Sequence, residues 1–280
     1  MLDTVCQYVL QWVESNLDTG KKVKDLISSV GYSRKTVEAW FLSKYDITIG
    51  NYLFRRRMSR ASILLRLTSI PITEVALLLH YYSNQNFSRA FRKFTGKTPS
   101  EYRNSERWDV SNIQFSLLYE FKPESIYKCI IPDRYISGGQ YNINEPFFYS
   151  GDTQNATGIQ KLMIDLMTPE QCNLIVCVDK VNKASLQKSR QGFIDTEVKA
   201  GILSVGGKAD IEVVPGGTFC CADFSGSWQE YYFFRFAFFI HVLSEKKYVY
   251  TGNGYHILFY RIKSECHKFI KCTMYIPVIF

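Results

Sequence analysis

Apolar positions at the start of the chain recur at the spacing of one helix face. Leu2, Val5, Cys6, Val9 and Val13 predict an amphipathic helix that ends near Asn16 to Gly20. Val23, Leu26, Ile27 and Val30 predict a short second helix, Gly31-Tyr32-Ser33 a turn with Ser33 as N-cap, and Val37, Trp40 and Phe41 the buried stripe of a third helix. The same arrangement returns further on. Ile72, Val75, Ala76 and Leu79 precede a turn at His80 to Ser83, followed by Phe87, Ala90, Phe91 and Phe94. The first helices of the two copies match at an offset of 49, and the second helices at 50, with Ser33 on Ser83, Val37 on Phe87, Trp40 on Ala90 and Phe41 on Phe91. Two short helices repeated with their apolar faces in one register are the mark of a duplicated helix-turn-helix.

Between the copies, Ile47 to Leu67 carries apolar Tyr52, Leu53, Met58, Ala61, Leu64 and Leu65 beside basic Arg55, Arg56, Arg57, Arg60 and Arg66. A helix of about 20 residues is ~30 Å long, close to the ~34 Å between successive major grooves on one face of B-DNA. Two units so joined can read adjacent grooves.

Beyond Ser105 to Ser116, a charged and small-polar stretch containing Trp108, the period changes from that of helices to that of strands. Strand-like runs lie at Ile126 to Ile131, Leu174 to Val181, Ile211 to Val214, Thr218 to Phe224, Tyr255 to Ile262 and Phe269 to Ile276, with helices at Ile159 to Met167 and Gln229 to Leu243. The pattern predicts a multidomain chain: an all-α N-terminal domain over 1–108, a linker over 109–119, and an α+β domain with a mostly antiparallel sheet over 120–280.

Charge sharpens this division. Residues 1–108 hold 17 Lys and Arg against 9 Asp and Glu, a balance of +8, whereas residues 109–280 hold 17 against 17. A polyanionic partner for the first domain follows, since Lys and Arg neutralising phosphates supply most non-specific nucleic-acid affinity. Charge alone does not separate DNA from a membrane surface. The most apolar segment, Tyr231 to Leu243, contains Arg235 and His241 and falls short of the ~20 residues that span a bilayer. No basic, apolar leader opens the chain, so a cytoplasmic protein without a membrane partner is expected. The eight cysteines include no C-x-x-C pair and there are four histidines, a spacing that suits neither zinc nor a disulfide framework and predicts mostly buried free thiols. The chain has no G-x-S-x-G, no phosphate-binding glycine loop and no clustered histidines with carboxylates, so neither an enzyme nor a cofactor is expected.

The run PITEVALLLHYYSNQNFSRAFRKFTGKTPSEYR, Pro71 to Arg103, closely resembles the signature of AraC/XylS transcription regulators. Phe87, Phe91, Phe94, Gly96, Pro99 and Tyr102-Arg103 stand where that family has them, and Tyr52, Arg55, Arg57, Met58, Ala61 and Leu64 fit its linker helix. The resemblance, over roughly residues 2 to 108, implies that the second helix of each unit enters a major groove of double-stranded DNA. The helical register then selects Arg34, Lys35, Glu38 and Ala39 in the first unit, and Asn84, Gln85, Ser88 and Arg89 in the second, as base contacts. Arg and Lys suit guanine, Asn and Gln suit adenine, and Glu can accept from cytosine. Lys44, Arg55 and Arg57 are the candidate phosphate contacts. Two positions depart from the family: Ala39 replaces a long side chain, and His80 stands where glycine is usual, at a turn that favours positive φ.

VVPGGTFCCADFSGSWQEYYFFRF, followed later by MYIPV, resembles the gyrase-inhibitor-like (GyrI-like) domain, which regulators of the Rob type carry behind an AraC unit. Such domains commonly hold small molecules among aromatic rings. Phe147, Phe148, Tyr149, Trp228, Tyr232, Phe236 and Leu258 are the candidate pocket. Multidrug-binding relatives place a glutamate where Leu258 stands, so the resemblance here favours a neutral or anionic apolar ligand over a cation. The whole implies a bacterial, nucleoid-associated transcription activator that binds promoter DNA as a monomer, contacts RNA polymerase and is tuned through its second domain. A protein that sequesters a small molecule or gyrase, with DNA binding secondary, is the alternative.

Overall fold

A computed structural model of the chain describes residues 2–67, 70–105, 108–118, 121, 123–146, 158–167, 173–181, 193–203, 211–245, 248–251, 254–260 and 269–279. It divides into two compact units, one formed by Met1–Glu120 and one by Phe121–Tyr149 with Thr153–Phe280.

Among the described residues of the first unit the helical period becomes seven helices: α1 (Leu2–Ser15), α2 (Val23–Val30), α3 (Arg34–Tyr45), α4 (Ile49–Leu67), α5 (Ile72–Leu78), α6 (Asn84–Thr95) and α7 (Pro99–Asn104). Their ends are set by local chemistry. Ser33 and Ser83 accept hydrogen bonds from the Thr36 and Asn86 amides, an N-cap worth about 1 kcal/mol each. Thr98 and Glu101 form a capping box at α7, with proline in its first turn. Gly31 ends α2 at φ 73° and Gly96 ends α6 at φ 79°, conformations that cost a β-carbon dearly. The expected apolar stripes are the ones buried. Val5, Val9, Val13, Leu26, Val37, Phe41 and Tyr52 form one core. In the second half Phe91 lies between Phe87 and Tyr102, with ring centroids 5.7 and 5.2 Å away.

Residues 108–118, which take in all the described part of the linker expected over 109–119, lie along the first unit as a strap. Val110, Ile113 and Ser116 are buried. The Gln114 amide donates to Ser59 Oγ at 2.8 Å, and the Leu117 amide to Tyr52 Oη at 2.9 Å. Tyr52 in turn donates to Glu14 Oε1 at 2.9 Å. Arg56 forks onto both Glu14 oxygens at 2.9 and 2.7 Å and gives its remaining nitrogen to the Gln114 carbonyl at 2.7 Å. Strap, α1 and α4 thus share one buried ion pair.

Among its described residues the second unit is built on a nine-stranded sheet in the order β1-β6-β9-β8-β3-β4-β2-β5, with β7 paired to β9. The strands are β1 (Ser125–Ile131), β2 (Arg134–Pro146), β3 (Asn173–Val181), β4 (Phe193–Leu203), β5 (Ile211–Val214), β6 (Gly217–Ser227), β7 (Val249–Tyr250), β8 (Tyr255–Tyr260) and β9 (Phe269–Ile279). Each pairing is antiparallel. The expected α+β antiparallel class stands, enlarged by β2, β4 and the short β7, which the expected strand runs did not include. Side chains alternate along β6 as strand geometry requires. Cys220, Ala222 and Phe224 pack under two helices, α8 (Gly158–Leu166) and α9 (Trp228–Ser244), whereas Phe219 and Cys221 join a separate cluster with Ile175, Leu258 and Tyr275. Between β2 and β4, Gly138 sits opposite Gly201, and a β-carbon on Gly138 would lie 2.0 Å from the Ala200 carbonyl oxygen.

Candidate nucleic-acid interface

The two second helices, α3 and α6, are each 12 residues long and present comparable faces. In α3, burying Val37 and Phe41 turns Arg34, Lys35 and Ala39 fully outward and leaves Glu38 half-buried. In α6, burying Phe87, Phe91 and Thr95 turns Asn84, Gln85 and Arg89 outward, with Ser88 half-buried beside them. The eight residues selected from the helical register therefore gather as two surfaces of four.

The two surfaces differ in how their charges are held. Arg34 Nε donates to Glu38 Oε1 at 2.9 Å, so two of the first copy's candidate base contacts are paired with each other along one helix turn. In the second copy Arg89 donates to Asn86 Oδ1 at 2.6 Å. Asn86, absent from the sequence-based selection, is exposed and its amide is the one capped by Ser83. It orients the guanidinium from the same helix face. Register could have found it, three positions before Arg89. Arg92, Lys93 and Tyr82 are also exposed around α6, Tyr82 at 95%.

The three candidate phosphate contacts separate. Lys44 donates to the Asp3 carboxylate, and this hydrogen bond holds Asp3 below the usual carboxylate range. Arg55 is half-buried, and its Nε has no hydrogen-bond partner among the described residues. Arg57 is engaged within the fold. It donates to the backbone carbonyls of Leu17 at 3.0 Å, Asn16 at 3.1 Å and Lys21 at 2.8 Å, clamping the loop after α1.

His80, at the place of Gly31 in the first copy, does adopt the left-handed conformation, at φ 58°. The Tyr81 amide closes the turn onto Ala76 O at 2.8 Å.

In the second unit, Phe147, Phe148 and Tyr149 lie outside the described residues. Trp228 and Tyr232 are buried in the core beneath α9, and Phe236 is half-buried on the same helix. Leu258 belongs to the cluster on the opposite face of the sheet. Trp228 and Tyr232 are thus brought together, with ring centroids 6.2 Å apart, whereas Leu258 stands apart from them. A carboxylate does stand near Leu258: Leu258 pairs with Thr273, and Thr273 with Asp223. Asp223 accepts from Ser125 at 2.6 Å and Thr273 at 2.5 Å. It lies two strands away from Leu258, and no motif spacing reveals such a neighbour.

Among the described residues no helix is long and apolar enough to cross a membrane, and no group of three or more His, Cys, Asp or Glu could hold a metal ion.

A family profile described as a helix-turn-helix domain matches residues 13–105. YkgA of Escherichia coli (strain K12) is 36% identical over 138 residues, 49% of this chain and 58% of that protein. The F1 operon positive regulatory protein of Yersinia pestis is 34% identical over 146 residues, 51% of this chain and 48% of its own length. The regulatory protein SoxS of Salmonella typhimurium (strain LT2) is 33% identical over 100 residues, which cover 36% of this chain and 94% of SoxS. The chain belongs to the AraC/XylS family of transcription regulators. In this AraC/XylS chain the profile match runs from the end of α1 to the end of α7 and takes in both helix-turn-helix copies and α4. The chain spans about half the length of the first two relatives named.

Proposed function

We propose that this protein regulates transcription by placing α3 and α6 in adjacent major grooves of one promoter site, binding as a monomer and activating through contact with RNA polymerase. The observation that carries the reading is the pair of Ser-capped 12-residue helices with outward polar faces, joined by the 19-residue α4. At 1.5 Å per residue α4 is about 28 Å long, of the order of the groove repeat. Activation is supported by the name of the Yersinia relative, a positive regulatory protein. The α+β unit serves as a GyrI-like effector domain for a small apolar molecule, a role supported by its antiparallel sheet with two helices on one face. None of these roles needs a catalytic residue or cofactor, and they place the protein at the bacterial nucleoid in the cytoplasm.

Footprinting on genomic fragments tests the reading. A protected site spanning two adjacent major grooves on one face of the duplex is the expected result. Binding that is salt-sensitive but without sequence preference overturns it. The side chains are separable by a panel of altered sites. Arg89→Ala is expected to relax preference at one base pair, by about 1–3 kcal/mol if it forks onto a guanine. Arg55→Ala is expected to weaken all sequences alike and to reduce the salt slope by about 1. Equal effects of both across the panel would show that the assignment of base and backbone contacts is wrong.

A further inference from the structure

The loop after α1, Asn16 to Lys21, is gripped by side chains from later in the chain. Arg57 and Arg60 come from α4: Arg57 bonds three of the loop's carbonyls, and Arg60 lies 3.4 Å from the Asp18 carboxylate. These two fasten the loop to the helix that joins the helix-turn-helix copies. The third is His80, from the turn of the second copy. Its Nε2 lies 2.7 Å from the Asp18 carbonyl oxygen, which can only accept, so Nε2 carries the proton.

Two costs in the sequence serve this contact. His80 holds φ 58°, a conformation that disfavours any residue with a β-carbon, where the first copy has Gly31 at φ 73°. Gly20, itself at φ 69°, lies so close to the imidazole that a β-carbon there would be 2.9 Å from His80 Cγ and Nδ1. A glycine at position 80 would relieve the backbone and lose the bond. α6 begins at Asn84, only one short turn beyond His80, so a bond that fixes His80 against the loop after α1 also fixes where α6 starts relative to the first copy.

We infer that His80 is a positioning residue for DNA recognition: its bond to the Asp18 carbonyl sets the separation and angle of the two recognition helices, and thereby the half-site spacing the protein accepts. A helix that joins two reading heads can bend at the turns flanking it. A contact bridging the heads directly removes that freedom, and a rigid pair of readers penalises any site whose grooves are displaced. The inference rests on the reading of α3 and α6 in adjacent grooves.

The test uses the full chain and duplexes carrying the footprinted site, with its two halves moved closer or farther by one and two base pairs, titrated at one fixed salt concentration. The native protein is expected to prefer one spacing by about tenfold or more, the scale of a single mismatched pair. His80→Gly, which the left-handed turn welcomes, is expected to keep its melting temperature within a few degrees. It should bind the preferred site a few-fold more weakly and lose most of the discrimination between spacings. His80→Asn tolerates the same φ but is too short to reach Asp18 and should behave alike, so a folding defect peculiar to one variant does not decide the matter. His80→Gln, whose terminal nitrogen reaches as far as the imidazole Nε2, should restore the preference. Glycine and asparagine variants that discriminate as the native protein does, or that lose affinity by one factor at every spacing, overturn the role of His80. A native protein indifferent to spacing overturns the two-groove reading and this inference with it.

Discussion

Replacing Glu14 with alanine is expected to destabilise the first unit by about 3–5 kcal/mol, the cost of leaving a buried charge without its partner. The Arg56 and Glu14 side chains are only 10% and 9% exposed, and Arg56 cannot discharge. Burial alone pushes the Glu14 carboxyl up, but the Arg56 charge and the hydrogen bonds from Arg56, Tyr52 and Ser116 outweigh it and hold the group below its ordinary value. The sign of the pH dependence follows. A carboxyl depressed on folding contributes its stabilisation in full above its unfolded pKa of about 4.3, and loses it as pH falls through the lower folded value. The native protein should therefore keep this contribution at pH 6 and shed it only on strong acidification, whereas Glu14→Gln should lack that acid limb. Amide hydrogen exchange reads the effect locally, because the Gln114 and Leu117 amides donate to Ser59 and Tyr52 within the same network. Unchanged protection of α4 and of residues 110–117 in Glu14→Ala would refute the account.

Gly138→Val is expected to be at least as severe, confined to the other unit. Its β-carbon would stand 2.0 Å from the Ala200 oxygen and 2.5 Å from the Gly201 α-carbon, both backbone atoms that no rotamer change can move aside. The strand pair β2–β4 must separate or slip, and a loss beyond about 4 kcal/mol is expected, the exceptional end of the range for single substitutions. Exchange protection across β2 and β4 should collapse while α1, α4 and α6 keep theirs. Intact protection of the Gln140 and Val198 amides, which lie within that pair, would show that the sheet absorbs the side chain.

What could be read from the sequence follows from which interactions are periodic. The helix-turn-helix repeat was visible because burial of Val37 and Phe41, and of Phe87 and Phe91, recurs on helical turns, and serine caps mark where each helix begins. The outward positions of both α3 and α6 came from the same register. β2 was hidden because RYISGGQYNINEP sets glycines and polar residues among its apolar ones, whereas β4, FIDTEVKAGIL, does carry a period-two pattern, with Thr196, Val198 and Ala200 buried, and was legible on that ground. The facing pair Gly138 and Gly201 has no side chain to declare itself. The bonds of Arg57 to backbone carbonyls of a distant loop were not legible, because no residue type advertises them. The separation of Leu258 from Trp228 and Tyr232 is a matter of strand parity across a sheet whose order no local motif encodes.

The strap of residues 108–118 also determines where the chain can be recombined. For a chimaera that keeps the DNA-reading unit and replaces the rest, the end of the helical repeat looks like the natural place to cut. An exchange made there would remove Val110 and Ile113 from the core and the Gln114 carbonyl from Arg56, leaving one nitrogen of the buried guanidinium without its acceptor. An exchange made after residue 118 would carry over the buried ion pair together with its third acceptor and the two apolar side chains. The inheritable helix-turn-helix module is therefore longer than the repeat that defines it, and a fusion partner joined too early would be blamed for a fault that lies in its neighbour.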